Sequence, residues 1–111
     1  SLGVHREKMY NPLRRGTPDM WYSGYERDLW VEYKWGNNWL SPHQEAWLRR
    51  EIAHGRNVAV AHGGLNEGVC TLRFGEAIFD SSSNNVETYR HAKELARRIT
   101  LFCGREKLHE S

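Results

Sequence analysis

The chain has 111 residues, 39% of them hydrophobic and 27% charged. That composition and length suit one ordinary folded domain with a single hydrophobic core, and they exclude a disordered chain or a multidomain machine with a separate cofactor cradle. Lys and Arg outnumber Asp and Glu by 16 to 14, and a net charge of +2 does not by itself argue for nucleic acid without local clustering. No apolar run approaches the ~20 residues of a membrane span, and Ser1 to Arg6 lacks the apolar core of a secretory signal. Cys70 and Cys103 are isolated and form no C-x-x-C, so two free thiols in a reducing, intracellular setting are expected.

In chain order, residues 4–10 read as a short extended segment, and Asn11-Pro12 with Gly16 punctuate an arginine-bearing loop. Asp19-Met20-Trp21-Tyr22 reads as a strand, Ser23-Gly24 opens a turn, and Leu29 to Trp35 is rich in aromatic and β-branched residues. A hairpin over about 18–35 is therefore expected. Alternation puts Leu29, Val31 and Tyr33 on one face, and Trp30, Glu32 and Lys34 on the other. Gly36-Asn37-Asn38 breaks the strand. Ser41-Pro42-His43-Gln44 is a strong helix start, with Ser41 as N-cap, Pro42 in the first turn and Gln44 where a capping box needs it. Trp47, Leu48 and Ile52 form the buried stripe, and His54-Gly55 ends the helix.

Asn57 to Ala61 is then a buried strand, parallel to 29–35 through a right-handed βαβ crossover over about 29–61. His62-Gly63-Gly64 reads as its end. Val69 to Phe74 and Ala77 to Phe79 are two further short strands. A last helix is expected over about 85–103, with Val86, Tyr89, Ala96, Ile99 and Cys103 on one stripe and Gly104 as its stop. The fold class is α/β, a single domain with a central mixed sheet.

Chemistry concentrates in 16–34. Glu32 and Lys34 project from one strand face, and the hairpin brings Asp19 level with them. Two carboxylates in close approach repel unless one takes a proton or a cation sits between them. Mg²⁺ suits such a site, because it needs only one or two carboxylates, waters and a substrate phosphate. A metal-bound water and a neighbouring lysine are the parts for hydrolysing a phosphodiester.

Pro18-Asp19 followed by Glu32-Tyr33-Lys34 resembles the active-site signature of the PD-(D/E)XK nuclease superfamily. The surrounding run is longer: Arg14-Arg15-Gly16-Thr17-Pro18-Asp19, Val31 to Lys34, Leu40 to Gln44, a helix ending at Gly55, and Asn57 to Val60 arrive in order. It resembles the VRR-NUC branch, in small stand-alone viral and bacterial forms related in fold to Holliday-junction resolvases, and covers roughly residues 10–63. The resemblance implies a restriction-endonuclease-like fold, with 10–63 as catalytic core and 64–111 as added strands and helix. It implies that Asp19, Glu32 and the Tyr33 backbone carbonyl bind Mg²⁺ or Mn²⁺, that Lys34 is the catalytic lysine, and that Gln44 points back to the site. It further implies an intracellular homodimeric endonuclease acting on branched DNA. The family usually adds an upstream glutamate on an N-terminal helix, and the acid available ahead of Asp19 here is Glu7.

Simpler readings stand beside these. Asp19 also fits a turn after Pro18, and Glu32 with Lys34 fits an exposed strand pair. The capping box explains Gln44 without catalysis. Arg14 and Arg15 fit phosphate contacts or a solvated pair. The Trp residues fit hairpin packing, with Trp35 and Trp39 open to DNA contact. Arg90, Lys93 and Arg97 fit a solvent face, a DNA track or a dimer interface. His43, His54 and His62 lack zinc-ligand spacing. A non-cleaving DNA-binding module on a nuclease fold is the alternative function.

Overall fold

A computed structural model describes residues 4–8, 19–66, 68–82 and 84–104. Its centre is one six-stranded sheet whose spatial order follows the chain. Strands β1 (His5–Lys8), β2 (Met20–Ser23) and β3 (Asp28–Trp35) form an antiparallel run. Helix α1 (Pro42–Ala53) crosses over to β4 (Val58–Asn66), which pairs in parallel with β3. Strand β5 (Val69–Phe74) returns antiparallel, a 3₁₀ turn follows at Gly75–Ile78, β6 (Glu87–Tyr89) adds the edge, and α2 (Ala92–Cys103) closes the order. The expected hairpin and crossover are both present, in a mixed sheet. Neither helix, among the described residues, is long and apolar enough to cross a membrane.

Alternation along β3 and β4 feeds two apolar layers. Leu29, Val31, Ala59 and Ala61 turn to one side, where Leu72 joins them and Ile99 and Cys103 of α2 cover them. Val58 and Val60 turn to the other side, beneath Trp47 and Leu48 of α1, with Ile78 beside them. The start of α1 forms as its sequence dictates. Ser41 Oγ accepts from the Gln44 amide at 3.2 Å, and Gln44 Oε1 accepts from the Ser41 amide at 2.9 Å. Gly55, at φ +78°, lets the chain leave the helix at once. The aromatic cluster is largely packing: Trp30 lies 6.1 Å from Trp21 and 5.5 Å, edge-on, from Trp47.

Three expectations are corrected. Residues 87–89 are not the first turn of the last helix; they pair with β5, Cys70 opposite Tyr89 and Leu72 opposite Glu87. Thr88 and Tyr89 suit a pleated edge better than a helix. Arg98 of α2 also holds the Glu87 carboxylate from two nitrogens, at 2.7 and 3.1 Å, keeping it well below the usual carboxylate pKa range. Ala77 to Phe79 is not a strand, because Gly75 at φ +54° turns the chain out of the ladder and the following 3₁₀ turn buries Ala77 and Ile78. His62-Gly63-Gly64 does not end β4, since β5 pairs alongside and carries the strand on to Asn66.

The turn between β2 and β3 caps the end of α2. The amides of Tyr25, Glu26 and Arg27 donate to the carbonyls of Gly104 and Cys103 at 2.8 to 3.0 Å, satisfying acceptors that a helix end leaves open. A Cβ on Gly24 would stand 2.3 Å from the Gly104 carbonyl oxygen. Gly24→Ala is therefore expected to destabilise the fold by about 1–3 kcal/mol, the cost of overpacking against backbone. A thermal melt unchanged by this substitution would contradict the contact.

Candidate active site

The ladder between β2 and β3 runs out at Met20 and Val31, and the next residues along each strand are Asp19 and Glu32. The Tyr33 amide, which has no β2 partner left, donates to Asp19 Oδ2 at 3.1 Å. The side chain of Asp19 thus extends the ladder that its backbone no longer supplies. In an antiparallel pair a residue turns its N–H and C=O to the same neighbour. The Tyr33 carbonyl accordingly faces the edge where Asp19 sits.

Glu32 lies on the α1 side of β3, opposite Val60 in register, and is only 2% exposed. A carboxyl in an apolar layer must find partners. It has two: Asp19, to which it hydrogen-bonds, and Gln44 Nε2, which donates to Glu32 Oε2 at 3.1 Å. Burial, then the hydrogen bond to Asp19, then repulsion by that second carboxylate, push the Glu32 pKa up to about 9, against a downward pull from Lys34. At neutral pH Glu32 therefore keeps its proton.

Gln44 carries both readings that its sequence position allowed. Its oxygen closes the capping box while its nitrogen holds Glu32. The helix start is thereby welded to the acid pair. Lys34 sits two residues beyond Glu32, half-buried, opposite His62 of β4.

His62 carries a role that its sequence context concealed. Its Nε2 bonds the Gly36 carbonyl at 2.7 Å, and its ring packs 5.1 Å from Trp39. It ties the loop after β3 across the neighbourhood of Lys34. The signal for this was the two-residue spacing from Val60 together with the parallel register, neither of which a histidine count contains.

Among the described residues no group of three or more His, Cys, Asp or Glu side chains converges as a metal cage. The donors present are two carboxylates and a backbone carbonyl, all oxygen, on an open sheet rim. That set fits a hard divalent cation that keeps waters and takes substrate phosphate, and does not fit a closed zinc site. A buried, protonated Glu32 hydrogen-bonded to a second carboxyl is also the arrangement that such a cation would replace. Glu7 lies on β1, a strand rather than a helix, paired with Trp21 in register. Its side chain lies outside the described residues, as do Arg14 and Arg15. Asp19, Glu32, Gln44 and the Tyr33 backbone are brought together.

No protein-family model matches the chain, and no curated protein does. One similar solved structure is that of Archaeoglobus fulgidus Hjc, a Holliday junction resolvase from an archaeal hyperthermophile. Identity is 16%, over 81% of this chain and 79% of that one, with a TM-score of 0.46.

A cavity of about 760 Å³ lies at the opposite end of β3, lined by Trp21, Trp30, Arg27 and Arg56 among others. None of Asp19, Glu32 or Lys34 lines it. Asp19 is the half-buried member of the acid pair, and Glu32 lies buried beneath it.

Proposed function

We propose that this protein is a metal-dependent endodeoxyribonuclease that hydrolyses phosphodiester bonds in branched or structured DNA. The observation that carries this reading is Glu32: a buried acid fixed between Asp19 and Gln44, in a run of residues resembling the PD-(D/E)XK signature. Asp19, Glu32 and the Tyr33 carbonyl would hold Mg²⁺ or Mn²⁺, with Glu7 as a further acid. Bound there, the ion would lower the pKa of a water and stabilise charge on the phosphoryl group. Gln44 is a positioning residue, since its amide fixes Glu32 Oε2 and so the direction in which the carboxylate presents its other oxygen. Lys34 acts at Nζ, orienting the attacking water and countering charge as it develops. Arg14 and Arg15 contact phosphates, and the protein works inside the cell as a homodimer.

The alternative, a DNA-binding module that does not cleave, is favoured by the lack of a third acid among the described residues. Labelled four-way junction, flap and linear duplex DNA, incubated with Mg²⁺ or Mn²⁺, separate the two. Cleavage of a branched substrate that Asp19→Asn abolishes is the expected result. Equal signal from wild type and variant on every substrate, with binding retained, gives the protein to the alternative.

A further inference from the structure

Trp35, the last residue of β3, is 74% exposed, far more than a tryptophan at the end of a central strand ordinarily is. It is nonetheless built in. A Cβ on Gly63 or on Gly64 would stand 2.7 Å from its ring, so the indole lies on bare β4 backbone that only glycine leaves open. Gly64 is also at φ +79°, a conformation in which other residues are strained. One face of the ring is seated in this way while much of its surface meets solvent.

The ring borders a groove of about 730 Å³ between the β4–β5 end and the start of α2. Lys34, Arg90 and His91 line the same groove, and no carboxylate does among its described residues. Its floor is apolar and aromatic, including Tyr33, Tyr89 and Leu95. A flat π-surface, an apolar floor and cations at the margin are the parts that take a nucleobase with its phosphates, sequence-independently. Lys34 belongs both to this groove and to the strand segment that carries Glu32.

We infer that Trp35 is a stacking platform for an unpaired nucleobase of the DNA strand, seated on Gly63 and Gly64 on the α2 face of the sheet, three residues along β3 from Glu32, which faces α1. This rests on the nuclease reading and deepens it. The substrate presents an unstacked base where the strand passes the end of β3, a short way from the bond to be cut, as branch points, flaps and gaps do and uninterrupted duplex does not.

The test is binding of fluorescein-labelled (dT)12 in EDTA, followed by anisotropy, where no metal-dependent cleavage intrudes. Trp35→Ala is expected to weaken binding about 10-fold or more, the range found for removing one stacking aromatic. Trp35→Phe keeps a π-face and is expected to retain most of it. Tyr25→Ala, at the other end of β3, is expected to leave it unchanged. The inference is overturned if wild type does not bind (dT)12, or if Trp35→Ala binds as wild type does. It is also overturned if Trp35→Ala halves the mass in light scattering while binding persists, which would make the patch a contact between two copies. Because the titration is metal-free, cleavage of branched DNA with Mg²⁺ is read separately, and either result can fail alone.

Discussion

Lys34→Ala is expected to slow cleavage of a branched substrate by about 10²- to 10⁴-fold, the range supplied by one positioned proton-transfer or charge-stabilising group. The residue stands two positions after Glu32, on the same face of β3, near enough to lower the Glu32 pKa. Its ammonium is therefore felt at the acid pair without being consumed by it, since no ion pair fixes Lys34 among the described residues. A group whose only task was to hold DNA would act differently. Its loss would weaken binding uniformly and reduce the salt dependence by about one phosphate contact, leaving the single-turnover rate at saturation intact. The discriminating measurement is thus the single-turnover rate under saturating enzyme, with Kd determined separately in EDTA. A rate within threefold of wild type would remove Lys34 from the chemistry.

The part of this site that was legible in the sequence is the part governed by local rules. Strand β3, the Ser41–Gln44 cap and β4 each follow from alternation, capping chemistry or a short apolar run, and the right-handed crossover then leaves few topologies. With them came the shared face of Glu32 and Lys34. The depth of Glu32 was not legible, because it depends on α1 lying over that face. An alternating strand looks the same whether its second face meets water or a helix. Gln44 illustrates the same limit from another side: spacing predicts one of its hydrogen bonds and only packing reveals the other. The errors after residue 64 have a related origin. Residues 86–89 match a helical stripe in spacing, yet β5 presents an edge that must be paired, and tertiary demand overrode the local pattern.

The second large effect concerns stability. Glu32→Gln is expected to stabilise the metal-free protein at pH 8 while abolishing its activity. The folded-state pKa of Glu32, about 9, lies above the ordinary 4.5 of an unfolded chain. The stability linked to this group is therefore fully present below pH 4.5 and declines as pH rises, because the unfolded chain ionises first; the decline is complete once pH passes about 9. At 1.36 kcal/mol per pH unit, the loss by pH 7 is about 3 kcal/mol. Glutamine does not titrate, can accept from Gln44 through its oxygen, and can donate to Asp19 through its nitrogen, so it escapes this loss without leaving a partner unsatisfied. The variant's melting temperature should be nearly flat from pH 5.5 to 8.5 where that of wild type falls. Mn²⁺ or Ca²⁺ should reverse the order. A cation that binds both carboxylates stabilises wild type, more so as pH rises because binding displaces the Glu32 proton, and does little for the variant. Such an exchange of stability for function is what a site that must hold charge in an apolar layer requires. Parallel melting curves for the two proteins across pH, with and without Mn²⁺, would show that Glu32 is only a buried structural acid and would leave the proposed metal site without its central ligand.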